Sequence, residues 1–306
     1  MSTIDVTPAK PALSDGGALA TSALAAIFWG TNFEATRIVL EHLSPWTAAA
    51  DRFAIAAVAI LAWLGLSRGI DLQVLKRNWP AFATLGIVGV AGFNAVLFLG
   101  METSSPVTAA LIMGTTPLTT SLLDALLQRR KPKTITIIGM AISLIGVAMT
   151  VGAFSGTHFA SGDLLILAGS VGWALYTIGC RNWVRGAAAI ETAAWTMFFG
   201  AIGLLVIAFL IESPVQEVLQ TTSVTQLVVV YMALVGSVLA YIFWQVGIAV
   251  RGPAATSILF NLVPVSALVV AVFFGRVPAP PQLAGVAIAI LGVVIASGKV
   301  RVPRRQ

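Results

Sequence analysis

Residues 134–153 read TITIIGMAISLIGVAMTVGA, and residues 281–298 read PQLAGVAIAILGVVIASG. Neither stretch holds a charged residue, and each approaches the roughly 20 apolar residues that carry a helix across a bilayer. Their glycines fall in register: Gly139, Gly146 and Gly152 match Gly285, Gly292 and Gly298. Apolar runs of spanning length, recurring in the second half of the chain, decide the fold class.

Further apolar stretches, bounded by charge, proline or polar clusters, fall at 18–40, 45–66, 79–100, 106–127, 162–183, 190–211, 224–248 and 253–274. With the two quoted runs they predict an all-α membrane protein of ten transmembrane helices. The 306 residues are 58% hydrophobic and only 10% charged, against about a quarter charged in soluble domains. Such a composition excludes a water-soluble globule and a disordered chain. The continuous runs also exclude an outer-membrane barrel, whose strands alternate. The short loops leave no room for an extramembrane catalytic domain, so the chain is not expected to be an enzyme. A single cysteine, Cys180, excludes an internal disulfide framework, and with only His42 and His158 beside it no metal site is expected. No Gly-rich, Lys-containing nucleotide motif occurs, so neither ATP hydrolysis nor a cofactor is expected. The net charge of +6 sits beside apolar spans rather than on one face, which argues against nucleic acid as a partner.

The second half repeats the first at an offset of 144 to 147 residues. Trp29 and Arg37 match Trp173 and Arg181, while Gly89, Gly100, Pro106 and Pro117 match Gly236, Gly247, Pro253 and Pro264. The predicted units are a tail at 1–17, a five-helix repeat at 18–153, a second at 162–298, and a basic tail at 299–306. Five is odd, so the two copies cross the membrane in opposite senses. Inverted repeats of this kind belong to secondary transporters that open a central site to either side in turn. Orientation follows from the basic residues that cytoplasmic loops retain. With the N-terminus inside, fifteen Lys and Arg flank the cytoplasmic side, among them Arg129, Arg130, Lys131 and Lys133, against Arg276 alone outside. Both termini are therefore expected in the cytoplasm, with the chain multi-pass in the inner membrane. Its tail residues Lys299, Arg301, Arg304 and Arg305 would touch anionic lipid. The sequence sets no oligomeric state and is compatible with a monomer.

The run Phe28-Trp29-Gly30-Thr31-Asn32-Phe33, followed by Ser44-Pro45 and Arg52-Phe53, precedes a Pro-centred fourth helix and a Gly-rich fifth that recur in the second half. In this order the motifs resemble the EamA-type drug/metabolite transporter superfamily, from about Ala18 to Gly298. The resemblance implies ten helices in two inverted repeats and movement of small metabolites, often amino-acid export. Many members carry a Glu just after the fourth and ninth helices, where this chain has Gln128-Arg129 and Gly275-Arg276.

Polar groups inside spans are costly and mark candidate sites. A hairpin turning near residue 43 predicts two pairs of opposite charge, Glu34 with Arg52 and Arg37 with Asp51, either as a structural staple or with Glu34 as a proton carrier. Mid-span Trp29, Asn32, Phe33, Asn94, Thr115, Trp173, Tyr176, Tyr241, Gln245 and Asn261 are the candidate substrate-binding residues. Several occupy matched positions in the two halves, so they are expected to converge near the pseudo-axis. A cavity of Trp, Phe and Tyr with a few amides suits a zwitterionic or neutral solute with an apolar side chain. Pro117 and Pro264, each removing a backbone hydrogen bond mid-span, are the candidate hinges. Two other readings remain open: efflux of organic cations, which needs an unpaired carboxylate among aromatics, and a non-transporting membrane scaffold.

Overall fold

The computed structural model describes residues 14–131, 134–150, 160–277 and 279–296, and no strand occurs among them. The long helices are α1 (Asp15–Leu40), α2 (Pro45–Ser67), α3 (Leu72–Met101), α4 (Pro106–Leu127), α5 (Thr134–Thr150), α6 (Ser161–Asn182), α7 (Ala189–Ile211), α8 (Ser223–Arg251), α9 (Pro253–Phe273) and α10 (Pro280–Ala296). A short helix at Pro214–Gln220 lies between α7 and α8. Seven of the described helices, α2, α3, α4, α6, α7, α8 and α9, are long and apolar enough to cross a membrane. Of the others, α5 and α10 have 17 residues each, and α1 carries Asn32, Glu34 and Arg37. Leu66, Leu210 and Phe273 are among many large apolar side chains facing outward, a surface that fits lipid rather than water. Residues 1–13 of the predicted first tail, all of the basic tail 299–306, and Lys133, Gly152, His158 and Gly298 lie outside the described residues.

One boundary differs from the sequence expectation. The third helix begins at Leu72 rather than 79, because Asp71 caps it by accepting from the Gln73 and Val74 amides at 2.8 and 3.3 Å. Lys76 and Arg77 therefore ride on a helical turn instead of a loop; a capped turn needs no apolar character.

Most close packing runs between the two halves. α1 lies on α8 and α9, its repeat counterpart α6 lies on α3 and α4, α2 lies on α7, and α5 on α10, whereas α1 and α2 touch little beyond their joining turn. Loop contacts sort the bundle into two faces. The start of α1 meets the end of α8 through Arg251 Nη1 and Asp15 Oδ2 at 2.8 Å, and Asn78 near the start of α3 accepts from the Arg185 amide at 2.8 Å. On the opposite face Ser104 Oγ donates to Asp163 Oδ1 at 2.6 Å, and the Ser44 amide donates to Glu217 Oε2 at 2.8 Å.

The α5–α10 crossing depends on the matched glycines. A Cβ on Gly146 would strike the backbone of Gly285 and Ala289, and one on Gly292 would strike the backbone of Gly139 and Ser143. Close backbone approach of this kind is how helices associate where lipid removes the hydrophobic driving force. Gly146→Ala should therefore lower the unfolding temperature of the detergent-solubilised protein, overpacking costing about 1–3 kcal/mol. Gly172→Ala, where a Cβ meets only the Val88 carbonyl at 3.8 Å, should leave it unchanged or raise it. Equal shifts in the two variants would count against the crossing.

Candidate functional site

Two local irregularities, each present once in either half, build the centre of the molecule. α3 widens into a π-type turn at Leu85–Gly92 and α8 does so at Leu234–Leu239. A widened turn releases a carbonyl from the helical ladder, and in α8 that carbonyl is used. Gly236 O accepts from the Trp29 indole N–H at 2.9 Å and from Arg52 Nη2 at 3.2 Å, while Arg52 Nε donates to Ser237 Oγ at 2.9 Å. A Cβ on Gly236 would overlap the Asn32 amide, and one on Gly89 would overlap Tyr176. Gly89 and Gly236 are matched positions, as are Asn32 and Tyr176, so each half inserts one side chain against the other's glycine.

The second irregularity lies in α4 and α9. α4 is interrupted at Thr115 and α9 passes through a 3₁₀ turn at Ile258–Asn261, each shortly before its proline, Pro117 or Pro264. Proline supplies no N–H to the carbonyl four residues before it, Met113 O in the case of Pro117, and side chains at the interruptions bond back to their own helices. Thr116 Oγ1 donates to Met113 O at 2.6 Å, Thr115 Oγ1 to Ile112 O at 2.7 Å, and Asn261 Nδ2 to Ile258 O at 2.8 Å.

These features surround a cavity of about 30 Å³ between the halves. Matched residues meet there. Trp29 and Trp173 pack edge to face with centroids 5.1 Å apart, Asn94 Nδ2 lies 3.5 Å from the Tyr241 hydroxyl, and Met113 and Phe260 both contribute to the wall. Of the candidate binding residues, Trp29, Asn32, Phe33, Asn94, Trp173 and Tyr241 line the cavity, and Thr115, Tyr176, Gln245 and Asn261 do not. Tyr176 and Gln245 form a buried layer behind it, Gln245 Nε2 donating to the Tyr176 hydroxyl at 2.8 Å and to Cys180 Sγ at 3.2 Å. Thr115 and Asn261 turn their polar atoms back onto their own helices. Thr36, Phe93, Leu97, Met113 and Phe260 complete the wall. The sequence reading passed over these five; for Met113 and Phe260 the repeat register was the available signal.

The predicted charge pairs are not formed. Glu34, 4% exposed in its side chain, accepts from Arg37 Nε at 2.7 Å and takes both ends of the Arg276 guanidinium, Nη2 at 2.7 Å and Nη1 at 3.0 Å. Arg37 also pairs with Glu41. Arg52 meets neutral acceptors only, and no ion pair joins Asp51 to Arg37 among the described residues. Equal depth on consecutive helices does not make neighbours here, because α1 packs on α8 and α9 rather than on α2. Arg276, read as a lone outer cation, instead ties the loop after α9 to α1. An arginine at the centre of a membrane helix costs about 2.5–3.5 kcal/mol. Two hydrogen bonds and the Phe53 ring, centred 5.0 Å from Arg52 Cζ, offset part of that.

Comparison with known proteins fixes the family. Residues 17–152 and 160–298 each match the EamA-like transporter family. The chain belongs to that family, and it is a membrane transporter, not an enzyme. This EamA-family member is 34% identical over 283 residues to the "Uncharacterized transporter YyaM" of Bacillus subtilis (strain 168), covering 91% of this chain and 92% of that one. It is 25% identical to a "Probable terminal-alkyne amino-acid exporter" of Streptantibioticus cattleyicolor (92% and 94% covered), and 25% identical to a "Probable amino-acid metabolite efflux pump" of Salmonella typhimurium (89% and 92% covered). A solved crystal structure 23% identical in sequence shares the fold, with a TM-score of 0.71 over 92% of this chain and 97% of that one.

In this EamA-family protein Glu212 also joins the two halves. It ends α7 and accepts from the Thr47 amide at 2.6 Å, the Thr47 hydroxyl at 2.8 Å and the Trp46 amide at 3.3 Å, capping α2 from the other half. A cap supplied by a distant helix has no local sequence signature. The two ion-pair assignments are separable by a double-mutant cycle on thermal stability. Glu34→Gln with Arg276→Gln should show a coupling of about 1–3 kcal/mol, and Glu34→Gln with Arg52→Gln should be additive within about 0.5 kcal/mol. The reverse pattern would restore the α1–α2 pairing.

Proposed function

We propose that this transporter exports amino acids or closely related small metabolites across the cytoplasmic membrane by alternating access. The observation carrying the reading is the meeting of matched residues, Trp29 with Trp173 and Asn94 with Tyr241, at one cavity between the halves. A site shared by inverted repeats is the site that both repeats can expose. On this reading all ten long helices cross the bilayer, the repeats span 18–153 and 162–298, and both termini lie in the cytoplasm. The face carrying Glu34, Arg276 and Glu217 is then the outer one. The Glu34–Arg276 pair closes that mouth, and α4 and α9 bend at their interruptions when access changes. The relatives named for amino-acid export support the substrate class.

Efflux of organic cations is less well supported. Such a site needs a free carboxylate among aromatic rings, whereas Glu34 is held by two arginines and the cavity wall contains Arg52 instead.

Purified protein in liposomes should give saturable uptake of labelled Phe, Met or Thr, with the response to an imposed pH gradient distinguishing proton-coupled from passive transport. Uptake equal to that of empty liposomes across an amino-acid panel would set this class aside. Replacing both Pro117 and Pro264 by Ala restores two backbone donors in the interrupted helices. That variant should transport more slowly, by about tenfold or more for each 1.4 kcal/mol added to the barrier, with solute affinity little changed. An unchanged rate would remove the hinges.

A further inference from the structure

The cavity holds more hydrogen-bond donors than the protein has acceptors for. Arg52 is 4% exposed and lines it, yet among the described residues no carboxylate pairs with it. Its Nε and Nη2 reach Ser237 Oγ and Gly236 O, both uncharged, and Nη1 bonds to no protein atom. Asn32, 6% exposed on the same wall, has no partner for its amide nitrogen or its amide oxygen, and the buried indole N–H of Trp173 has none either. Buried donors are ordinarily satisfied, and an unmet one costs about 1–3 kcal/mol. A full positive charge with no counterion is a larger debt still, one that a bound anion removes.

We propose that Arg52, with Asn32 and Trp173 lining the same cavity, is a carboxylate-binding subsite that makes a carboxylate an obligatory feature of the transported solute. This rests on reading the cavity as the carrier's solute site. Nε and Nη2 of the guanidinium are anchored to the widened turn of α8, the Phe53 ring centre lies 5.0 Å from Cζ, and Nη1 is left for the ligand. Charge-assisted bonds to a carboxylate are about twice as strong as neutral ones. Trp29 and Phe260 stack with centroids 5.2 Å apart on the same wall and would receive the apolar end of the solute once the site opens. The arrangement also rejects amines that lack a carboxylate, because a second cation would meet Arg52 with nothing between them.

The test is equilibrium binding to the purified full chain in detergent, followed by tryptophan fluorescence, with three probes of similar size: phenylalanine, 3-phenylpropanoate and phenethylamine. Phenylalanine is expected to bind, phenethylamine not to bind, and the strength of 3-phenylpropanoate relative to phenylalanine to tell a plain carboxylate from a zwitterion. Arg52→Gln should weaken phenylalanine binding by about tenfold to a hundredfold, corresponding to 1.4–2.8 kcal/mol, while Arg52→Lys keeps part of it. Because Arg52→Gln also loses bonds to α8, Asn32→Ala provides a second variant; it breaks no hydrogen bond within the protein and, although it gives up packing against Gly236, should keep a cooperative unfolding transition while weakening binding several-fold. Phenethylamine binding as well as phenylalanine, wild-type affinity in both Arg52→Gln and Asn32→Ala, or no binding of either carboxylate would overturn the subsite. Binding without flux in liposomes would leave the subsite standing and remove the carrier reading; flux without carboxylate selectivity would do the opposite.

Discussion

The carbonyl of Gly236, freed by the widened turn of α8, is the acceptor around which the centre of the molecule is organised. Trp29 from α1 and Arg52 from α2 both donate to it, so three helices from two halves are joined at one oxygen. In hydrocarbon a polar group without a partner is costly, and the turn that creates a free acceptor is therefore stable only while those donors stay in place. The same turn brings the α8 backbone so near to Asn32 that position 236 must be glycine. Its counterpart in α3 sets Gly89 against Tyr176 in the same manner, and the two contacts bring the halves together about the pseudo-axis.

From that centre outward the two copies diverge in chemistry while keeping one shape. The α1 side carries Asn32 and Arg52, small and charged groups beside the cavity. The matched positions in the second copy, Tyr176 and Thr196, bond to each other at 3.2 Å behind the wall. The face carrying Glu34 differs as well: Arg276 reaches Glu34 across the halves, and Glu212 and Glu217 hold the start of α2. The unequal side chains give the two copies different chemistry at the cavity: Asn32 and Arg52 line it, and Tyr176 and Thr196 do not.

Much of this was legible in the sequence because membrane spans and internal repeats are written in composition and register. Gly139, Gly146, Gly285 and Gly292, which fall in register in the sequence, form the α5–α10 crossing, and Trp29 with Trp173 meet as matched positions should. The charge pairs were misread because helical depth was taken for proximity, and a single sequence does not say that α1 leaves α2 to pack on α8 and α9. Thr115 and Asn261 were misplaced for another reason: at the interruptions of α4 and α9 their polar atoms turn back onto Ile112 O and Ile258 O of their own helices. Met113 and Phe260 are apolar in apolar spans and become visible only when the repeat register is read at every position.

In the proposed mechanism one cavity between the repeats faces each side of the membrane in turn. Met113 lies on its wall at the meeting of the halves, and Cys180 is the chain's single cysteine, so Met113→Cys in a Cys180→Ser background places one thiol at the centre. In sealed, uniformly oriented vesicles an impermeant maleimide should modify that thiol when applied from either side, and a transported solute should slow both reactions. Modification from one side only, whatever solute is present, would contradict alternating access.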